Sequence, residues 1–405
     1  MSNFAFGTYR ISDVNPQHIE ALKEAIDSGI TMIDTSSNYM DGGAERAIAL
    51  AFREHEDKIN DVEIVSKFGY IQGSNLELHK EDPIDGDVVE FSEDCYHCIS
   101  KSFLHSELSK SLKRLERSYI NTYLIHNPEY YLINAIKNGV DKDERLDEMY
   151  KRLEEAFTAM ELEVKAGRIN GYGISSNSFS VAHDSDEFLP YEDLITLAQN
   201  AAKIIGNVAH SLTTIELPIN MLETTGFECA KWAKENGLRV LVNRPFNAKY
   251  ENVMFRLCDY EEPKEYYHHF NELMEVCDND MLRPMYNLLE QLDSAKHKFG
   301  WIGDYDTFLY TQIVPHMKKT LEIIDEQNQQ TMLNFIDLFL QEYRKMVLYE
   351  CSKSTRIQLK EFFDDPYKSM QELAIEFLSQ SDSVDYILVG MRKPSYVHEI
   401  LALDI

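Results

Sequence analysis

The segment ITMIDTSSNYMDGGAE, residues 30–45, shows the order of strand and helix from which the fold class is predicted. Its apolar run, Ile30–Ile33, is typical of a short buried strand, and the run ends abruptly at Asp34. Tyr39 follows five positions later, and the pair Gly42–Gly43 precedes a segment with helical spacing. This order predicts one βα unit, with a carboxylate and a phenol at the carboxyl end of its strand.

The same order of strand and helix recurs along the chain. The strand-like runs are FAFGTY, TMID, VEIVSKF, INTYLIH, INGYGISS, TTIELPI, LRVLVNR and SVDYILVG. Helices are predicted near 16–28, 43–55, 101–117, 147–166 and 190–205, in TGFECAKWAKENG, where Gly237 ends the helix, and in PSYVHEIL. Eight consecutive βα units are too many for a two-layer sandwich. They predict a closed (β/α)8 TIM barrel of about 250 residues.

A second region interrupts this barrel pattern. Residues 247–370 lie between the seventh and eighth predicted strands, and one barrel helix needs far fewer. In EYYHHFNELMEVC, DMLRPMYNLLEQLDSAKHKF and MLNFIDLFLQEYRKMVLYE, apolar residues recur every three or four positions. We therefore predict an inserted helical subdomain over 247–370 and a barrel domain built from 1–246 and 371–405.

Composition and charge narrow the classes of function. The chain has 405 residues, of which 44% are hydrophobic, so it can bury a large core. Its 40 Lys and Arg against 69 Asp and Glu give a formal net charge of −29, which argues against nucleic acid or an anionic membrane as the main partner. No apolar run approaches the roughly 18 residues that a membrane span needs. Six scattered cysteines, and a first segment without the features of a secretory signal, predict a reduced cytoplasmic protein.

Polar or charged residues end three successive predicted strands: Asp34 the second, Lys67 the third and His126 the fourth. Because the carboxyl ends of barrel strands meet at one rim, we expect these side chains to lie close together. Taken singly, each also fits an ordinary role, as a turn acid, a solvated lysine or a core histidine, and Tyr39 fits a packing aromatic. Their combination at one rim favours a catalytic site.

At these residues the chain resembles the aldo-keto reductases. The matching segments occur in the family's order and are FGTYRI, GITMIDTSSNYMDGGAE, VEIVSKFG, SLKRLERSYINTYLIHNPE, MELEVKAGRINGYGISSN, ELPIN and ILVGMR. The resemblance implies a catalytic tetrad of Asp34, Tyr39, Lys67 and His126. It also implies an NAD(P)H-dependent oxidoreductase that transfers a hydride between nicotinamide and a small-molecule carbonyl or alcohol, such as an aldehyde, a ketone or a sugar-like compound.

The chemistry of carbonyl reduction supports those four positions independently. Hydride addition builds negative charge on the carbonyl oxygen, so a proton donor must lie beside it. A free phenol, with a pKa of about 10, is a weak acid at neutral pH, and we expect the Lys67 ammonium to lower the pKa of Tyr39. Asp34 is expected to hold Lys67 in place, and His126 to orient the substrate oxygen.

The resemblance also implies a nicotinamide cofactor lying across the same rim. The implied cofactor residues are Gly7, Thr8, Ser175, Ser176, Asn177, Glu216, Asn243, Arg244, Gly390, Arg392, Lys393 and Ser395. Arg392 and Lys393, next to a predicted helix start, favour a 2′-phosphate and hence NADP(H), with NAD(H) as the alternative.

The sequence departs from the family pattern around this cofactor site. Glu216 stands where the family has glutamine, and Asn243 stands where it has a tyrosine that stacks on the nicotinamide. The family's Ser-Asn pair reads SSN, which leaves Ser176 and Asn177 as alternatives for the carboxamide contact.

Two other functions stay open at this point. Some barrels of this family serve as cofactor-sensing, catalytically slow subunits of larger assemblies, and the insertion offers a surface for a protein partner or a second copy of the chain. The motif CYHC, Cys95–Cys98, lies in a long polar loop predicted after the third strand and could be redox-active or half of a zinc site. No further ligand set completes it, so we expect no metal site, and His268–His269 is expected to lie on an ordinary helix surface.

Overall fold

The computed structural model describes residues 3–250, 253–322, 324, 326–363 and 365–403. It contains a closed barrel of eight parallel strands, which confirms the predicted fold class. The strands are β1 Asn3–Gly7, β2 Met32–Asp34, β3 Glu63–Phe68, β4 Ile120–His126, β5 Ile169–Ser175, β6 Leu212–Pro218, β7 Arg239–Asn243 and β8 Tyr386–Val389. Strands that follow one another in this series pair in parallel, and β8 closes the barrel by pairing with β1.

A layer of apolar side chains fills the barrel interior: Ala5, Met32, Val65, Leu124, Leu241 and Leu388. Side chains alternate along a strand, so the residue two positions further on points into the same interior, one layer nearer the carboxyl ends. That next position is Asp34 on β2, Lys67 on β3 and His126 on β4. The two-residue period of the strands thus places the predicted polar residues directly above an apolar layer.

The helices of the barrel follow the predicted segments closely. They are α1 Pro16–Asp27, α2 Gly43–Phe52, α3 Lys101–Leu115, α4 Lys142–Lys165, α5 Leu194–Ile205, α6 Gly226–Glu235, α7 Met370–Ser379 and α8 Pro394–Leu401, and a shorter helix, Tyr130–Lys137, precedes α4. Helix α4 begins earlier than predicted because the Asp141 side chain accepts a hydrogen bond from the Asp143 amide as an N-cap. Gly237, with φ of 73°, takes the left-handed conformation expected just past the end of α6.

Among the helices that the structure describes, none combines the length and the apolar character that a membrane span requires.

The segment between β3 and α3 is more ordered than the polar loop predicted from the sequence. The strands Tyr70–Ile71, Val89–Ser92 and Cys95–His97 form a three-stranded antiparallel sheet, and the helix Gly73–Glu81 lies between the first two of them. Two-, three- and four-residue strands are too short for a period of two to be recognised in a sequence.

The chain groups into two compact units, Met1–Pro245 with Glu376–Ile405, and Phe246–Ile375. The second unit begins with an antiparallel strand pair, Asn247–Tyr250 and Val253–Arg256, which the sequence did not predict. It continues with the helices Tyr266–Cys277, Arg283–Ala295, Ile302–Phe308, Val314–Leu321 and Glu326–Gln358, around a core of aliphatic, aromatic and sulphur-containing side chains. The insertion between the seventh and eighth strands is therefore mainly helical, as predicted. Whether the boundaries at 246/247 and 370/371 delimit independently folding domains stays a prediction.

Candidate active site

Lys67 is the centre of a buried charged cluster at the carboxyl ends of the strands. Its side chain is fully buried, and its ammonium donates a hydrogen bond to Asp34 Oδ1 and another, of 3.1 Å, to the Thr35 carbonyl oxygen. Glu216 Oε2 lies 3.2 Å from the same Nζ atom. Burial alone would lower the pKa of Lys67, but the charges of Asp34 and Glu216 raise it above its ordinary value, so the ammonium stays charged.

Tyr39 lies half-buried beside this cluster, with its ring centroid 5.4 Å from Lys67 Nζ and 5.2 Å from the Tyr9 ring. The sequence predicted that Lys67 would lower the pKa of the phenol. Burial instead raises the pKa of Tyr39, and this effect exceeds the opposing effect of the ammonium. The negative charges of Asp34 and Glu216 add to the rise. The prediction of a lowered pKa was therefore wrong, because it left burial and the second carboxylate out of account.

His126 completes the group of four residues predicted at the rim. It is buried, and its ring lies edge-on to Tyr39, with 6.0 Å between the centroids. Burial lowers the pKa of His126 well below its ordinary value, and the Lys67 charge lowers it further, so the imidazole is neutral. Its Nδ1 atom is 3.1 Å from Ser36 Oγ, which fixes the ring orientation.

Glu216, on β6, links the charged cluster to the neighbouring strand ends. Its Oε1 atom accepts hydrogen bonds from Ser175 Oγ at 3.1 Å and from Asn243 Nδ2 at 2.9 Å. Glu216 Oε2 faces Lys67, whereas Asn243 Oδ1 is buried and accepts no hydrogen bond from the described residues. A buried acceptor without a donor at the rim marks a place that fits the NH₂ group of a ligand.

Ser176 and Asn177 differ in their surroundings because of a residue that the sequence did not single out. Glu129 is buried, and its carboxylate accepts a hydrogen bond from Ser176 Oγ at 2.8 Å and another from the Asn177 amide at 2.9 Å. Ser176 is thus buried and committed to Glu129, whereas Asn177 is exposed. Burial raises the pKa of Glu129 to about 7. Its position directly after a predicted strand end, in HNPE, was the available signal.

The small sheet that follows β3 forms one wall beside His126. Tyr70 packs edge-on against the His126 ring at 4.8 Å and accepts a 2.6 Å hydrogen bond from Asn127. His97 Nε2 donates to the His126 carbonyl oxygen at 2.7 Å. A side chain at Gly69, whose φ is 150°, would lie 2.6 Å from that carbonyl and from His97 Nε2, so only glycine fits there.

The remaining predicted cofactor residues are found at three places around the barrel. Thr8 is buried and donates, through both its amide and its hydroxyl, to the Asp34 carbonyl oxygen, and Gly7 pairs with Asp34 in the sheet. Arg244, with φ of 55°, forms an ion pair with Glu223 at 3.1 Å. The third group is exposed at the start of α8 and consists of Gly390, Arg392, Lys393 and Ser395.

Neither of the two possible metal-ligand groups resembles a formed site. Cys95 and Cys98 are free and buried, and burial raises the pKa of both thiols, which disfavours the thiolate that redox chemistry or zinc requires. His268, His269 and Glu272 lie within 4.8 Å of one another on a single helix, and His268 and Glu272 are well exposed.

Comparisons with known proteins agree with this geometry. Residues 3–204 match the family described as the Aldo/keto reductase family. The aldo-keto reductase dtxS3 of Metarhizium robertsii is 30% identical over 115 residues, which are 26% of this chain and 30% of that protein. The aldo-keto reductase YhdN of Bacillus subtilis is 27% identical over 111 residues, or 27% of this chain and 28% of that protein. The chain therefore matches less than a third of the length of either curated relative.

A solved structure resembles the whole chain in fold. The aldo-keto reductase AKR11C1 of Bacillus halodurans, in its holo form, aligns over 100% of this chain and 87% of its own, with a TM-score of 0.50 and 14% sequence identity. At that identity the likeness concerns the barrel architecture and not the substrate.

Proposed function

We propose that this chain, which belongs to the aldo/keto reductase family through residues 3–204, is an NADP(H)-dependent oxidoreductase that acts on a small carbonyl or alcohol. The observation that carries the proposal is the buried Lys67–Asp34 ion pair next to a half-buried phenol, Tyr39, and a neutral imidazole, His126. Burying an ammonium in an apolar barrel costs desolvation free energy even when the ammonium is paired. A role in tuning a neighbouring proton donor is the most direct explanation for this arrangement.

In this mechanism Tyr39 gives a proton to the carbonyl oxygen during reduction and takes it back during alcohol oxidation. Because burial keeps the phenol protonated, Tyr39 is ready as an acid at neutral pH. Lys67 stabilises the phenolate that remains after the transfer, since its charge favours the ionised form. Asp34 fixes the position of that ammonium through its hydrogen bond.

His126 orients the substrate oxygen by hydrogen bonding. Its neutral ring has one N–H, which can be donated to a carbonyl oxygen when it is carried by Nε2. The contact of Nδ1 with Ser36 Oγ, 3.1 Å away, holds the ring in place. The edge-on ring of Tyr70 keeps the imidazole in place.

The residues present fit a nicotinamide cofactor. When bound, such a cofactor supplies the hydride that this set of side chains cannot provide. Asn243 Oδ1 is a buried acceptor without a donor among the described residues, and it matches the NH₂ group of a nicotinamide carboxamide. The exposed side chain of Asn177 is the better candidate than Ser176 for the other half of the carboxamide.

The phosphate end of the cofactor is proposed to bind at the start of α8. Arg392 and Lys393 are exposed there, and the first-turn amides of the helix add donors for an anion. Two cations at this place, in a chain with a net charge of −29, favour a 2′-phosphate and therefore NADP(H) over NAD(H). Ser395, in the first turn of α8, is an additional donor.

Nucleotide titration tests this function. Quenching of protein fluorescence should show tighter binding of NADPH than of NADH, and the preferred nucleotide should then be consumed with members of an aldehyde, ketone and sugar panel. Arg392→Met with Lys393→Met should weaken NADPH binding more than NADH binding, whereas Lys231→Met, an exposed lysine of α6, should change neither. Absence of binding of both nucleotides would contradict the proposal.

We also propose a cytoplasmic location. The free cysteines Cys95, Cys98, Cys229, Cys277 and Cys351 suit a reducing compartment. The inserted unit, Phe246–Ile375, is proposed to fold as a domain of its own and to provide any contact with a protein partner or a second copy.

A further inference from the structure

Lys67 has two carboxylate partners at the rim, where one would be enough to hold it. Asp34 accepts a hydrogen bond from its ammonium, and Glu216 Oε2 lies 3.2 Å from the same nitrogen. The family resemblance has an uncharged glutamine at the position of Glu216, so the second negative charge is a property of this chain. We propose that Glu216, acting through Lys67, is a positioning residue that keeps Tyr39 protonated and so moves alcohol oxidation to higher pH.

Glu216 is fixed in place by contacts that a flexible surface acid would lack. It is 2% exposed, and its Oε1 atom accepts hydrogen bonds from Ser175 and Asn243. With that oxygen occupied on two sides, the other oxygen is directed toward Lys67. The arrangement comes from adjacent strands, since Ser175 pairs with Glu216 in the sheet, and Glu216 pairs with Leu241, two residues before Asn243.

The charge balance around Tyr39 follows from this geometry. The titratable groups that face the phenol come from five strand ends or the loops that follow them: Tyr9, Asp34, Lys67, His126 and Glu216. His126 is neutral and Tyr9 is a second phenol, so one ammonium faces two acidic side chains. Burial and the charge of Glu216 raise the pKa of Asp34 well above its ordinary value, which shows that negative charge is disfavoured at this place. Ionisation of Tyr39 would add a third acidic group that competes for the same ammonium.

Substitution of Glu216 by glutamine removes one of the two acidic side chains. Asp34 and Lys67 are then left as a one-to-one pair, and the phenolate of Tyr39 no longer has the Glu216 charge beside it. The ionisation of Tyr39 should therefore move to lower pH.

The inference deepens the proposed function and rests on it for the direction of reaction. In reduction, the carbonyl carbon receives a hydride and the carbonyl oxygen receives the Tyr39 proton, while the nicotinamide is oxidised. In oxidation, the phenolate of Tyr39 must first accept the alcohol proton. A group that disfavours the phenolate therefore moves the onset of alcohol oxidation to higher pH.

The first test measures Tyr39 itself, without cofactor or substrate. Absorbance of tyrosinate near 295 nm is followed against pH, and subtraction of a matched protein that carries Tyr39→Phe isolates the one phenol. In the wild type we expect Tyr39 to ionise at a higher pH than a free phenol does. Glu216→Gln should bring the signal down by about one pH unit or more, and Glu216→Asp, which keeps the charge, should resemble the wild type.

A control variant tests whether the change in the Tyr39 titration is specific to Glu216. Glu107→Gln removes another buried carboxylate, which pairs with Lys110 at 2.8 Å on α3, and should leave the Tyr39 titration unchanged. If Glu216→Gln fails to fold, Glu216→Ala removes the same charge and takes its place. Superimposed Tyr39 curves for the wild type and the charge-removing variant would overturn the inference.

A second test compares the two directions of the reaction. The pH at which kcat/KM for alcohol oxidation rises, and the pH at which kcat/KM for carbonyl reduction falls, should both be lower in Glu216→Gln than in the wild type. If Tyr39→Phe leaves turnover unchanged, the proposed function fails. If Tyr39→Phe abolishes turnover and the oxidation profiles of the wild type and Glu216→Gln coincide, only this inference fails.

Discussion

The barrel rim and the core of the inserted unit bury very different side chains. At the rim, Asp34, Lys67 and Glu216 are almost completely buried and satisfied mainly by one another. The core of Phe246–Ile375 consists of side chains such as Leu289, Tyr305 and Phe339. Burying a charge costs several kcal/mol unless it is paired, whereas burying an apolar side chain stabilises the fold. The difference separates a region built for chemistry from a region built for stability.

The largest expected effect comes from the loss of one hydroxyl at the rim. Tyr39→Phe should lower turnover by about 10²–10⁴-fold because the proton donor is removed, while nucleotide binding stays nearly intact. Tyr305→Phe makes the same change in the inserted unit, where the hydroxyl is buried without a hydrogen-bond partner among the described residues, and should leave turnover unchanged. Steady-state kinetics and a nucleotide titration measure both effects. Equal turnover in the two variants would remove the distinction between the regions.

A large-to-small change in the inserted unit should act on stability instead. Leu289 is fully buried, so Leu289→Ala is expected to lower the free energy of unfolding by about 2–5 kcal/mol through lost burial and a residual cavity. Leu333, in the helix Glu326–Gln358, is 43% exposed, and Leu333→Ala should cost less than about 0.5 kcal/mol. Chemical denaturation compares the two. If both variants lost the same small amount of stability, the core described for this unit would be wrong.

A smaller effect is expected in the pH dependence of the free energy of unfolding, which should differ between acidic residues of the two regions. The pKa of Glu129 is raised to about 7 by burial, so the folded protein binds its proton more tightly than the unfolded chain does. This carboxyl therefore contributes stability at low pH, and that contribution is lost as pH rises from about 4.5 to about 7. Glu129→Gln should remove up to about 3 kcal/mol of this decline, measured as the free energy of unfolding against pH.

Glu350 in the inserted unit gives the opposite sign. Burial alone would raise its pKa, but His297 and Lys353 lower it below the ordinary value. Its contribution is therefore present above the ordinary carboxyl pKa and is lost as pH falls, so Glu350→Gln should reduce stability at neutral pH but not in acid. Parallel pH profiles for Glu129→Gln and Glu350→Gln would show that the two environments do not differ as described.

Much of the fold was predictable because it depends on short-range periodicity. The βα alternation gave the barrel, and the strand ends gave the four rim residues, because residues that follow parallel strands share one edge. The three-residue strand Cys95–His97 and the pair Asn247–Tyr250 with Val253–Arg256 were not predicted, since strands of this length gain their stability from partners distant in sequence. Glu129 was not singled out because its importance depends on Ser176 and Asn177, which lie on the next strand's loop.

From the sequence alone it follows that three successive strands bring a polar or charged last residue, Asp34, Lys67 or His126, to a common rim. Period and order along the chain are local properties, and a linear sequence records them completely. The charges of those groups depend instead on the folded structure, which gives a raised pKa for Tyr39, a neutral His126 and a second carboxylate, Glu216, beside Lys67. The energy of an ionisable group depends on its burial and on charges a few ångströms away, and folding brings those charges together from strands that are far apart in the sequence.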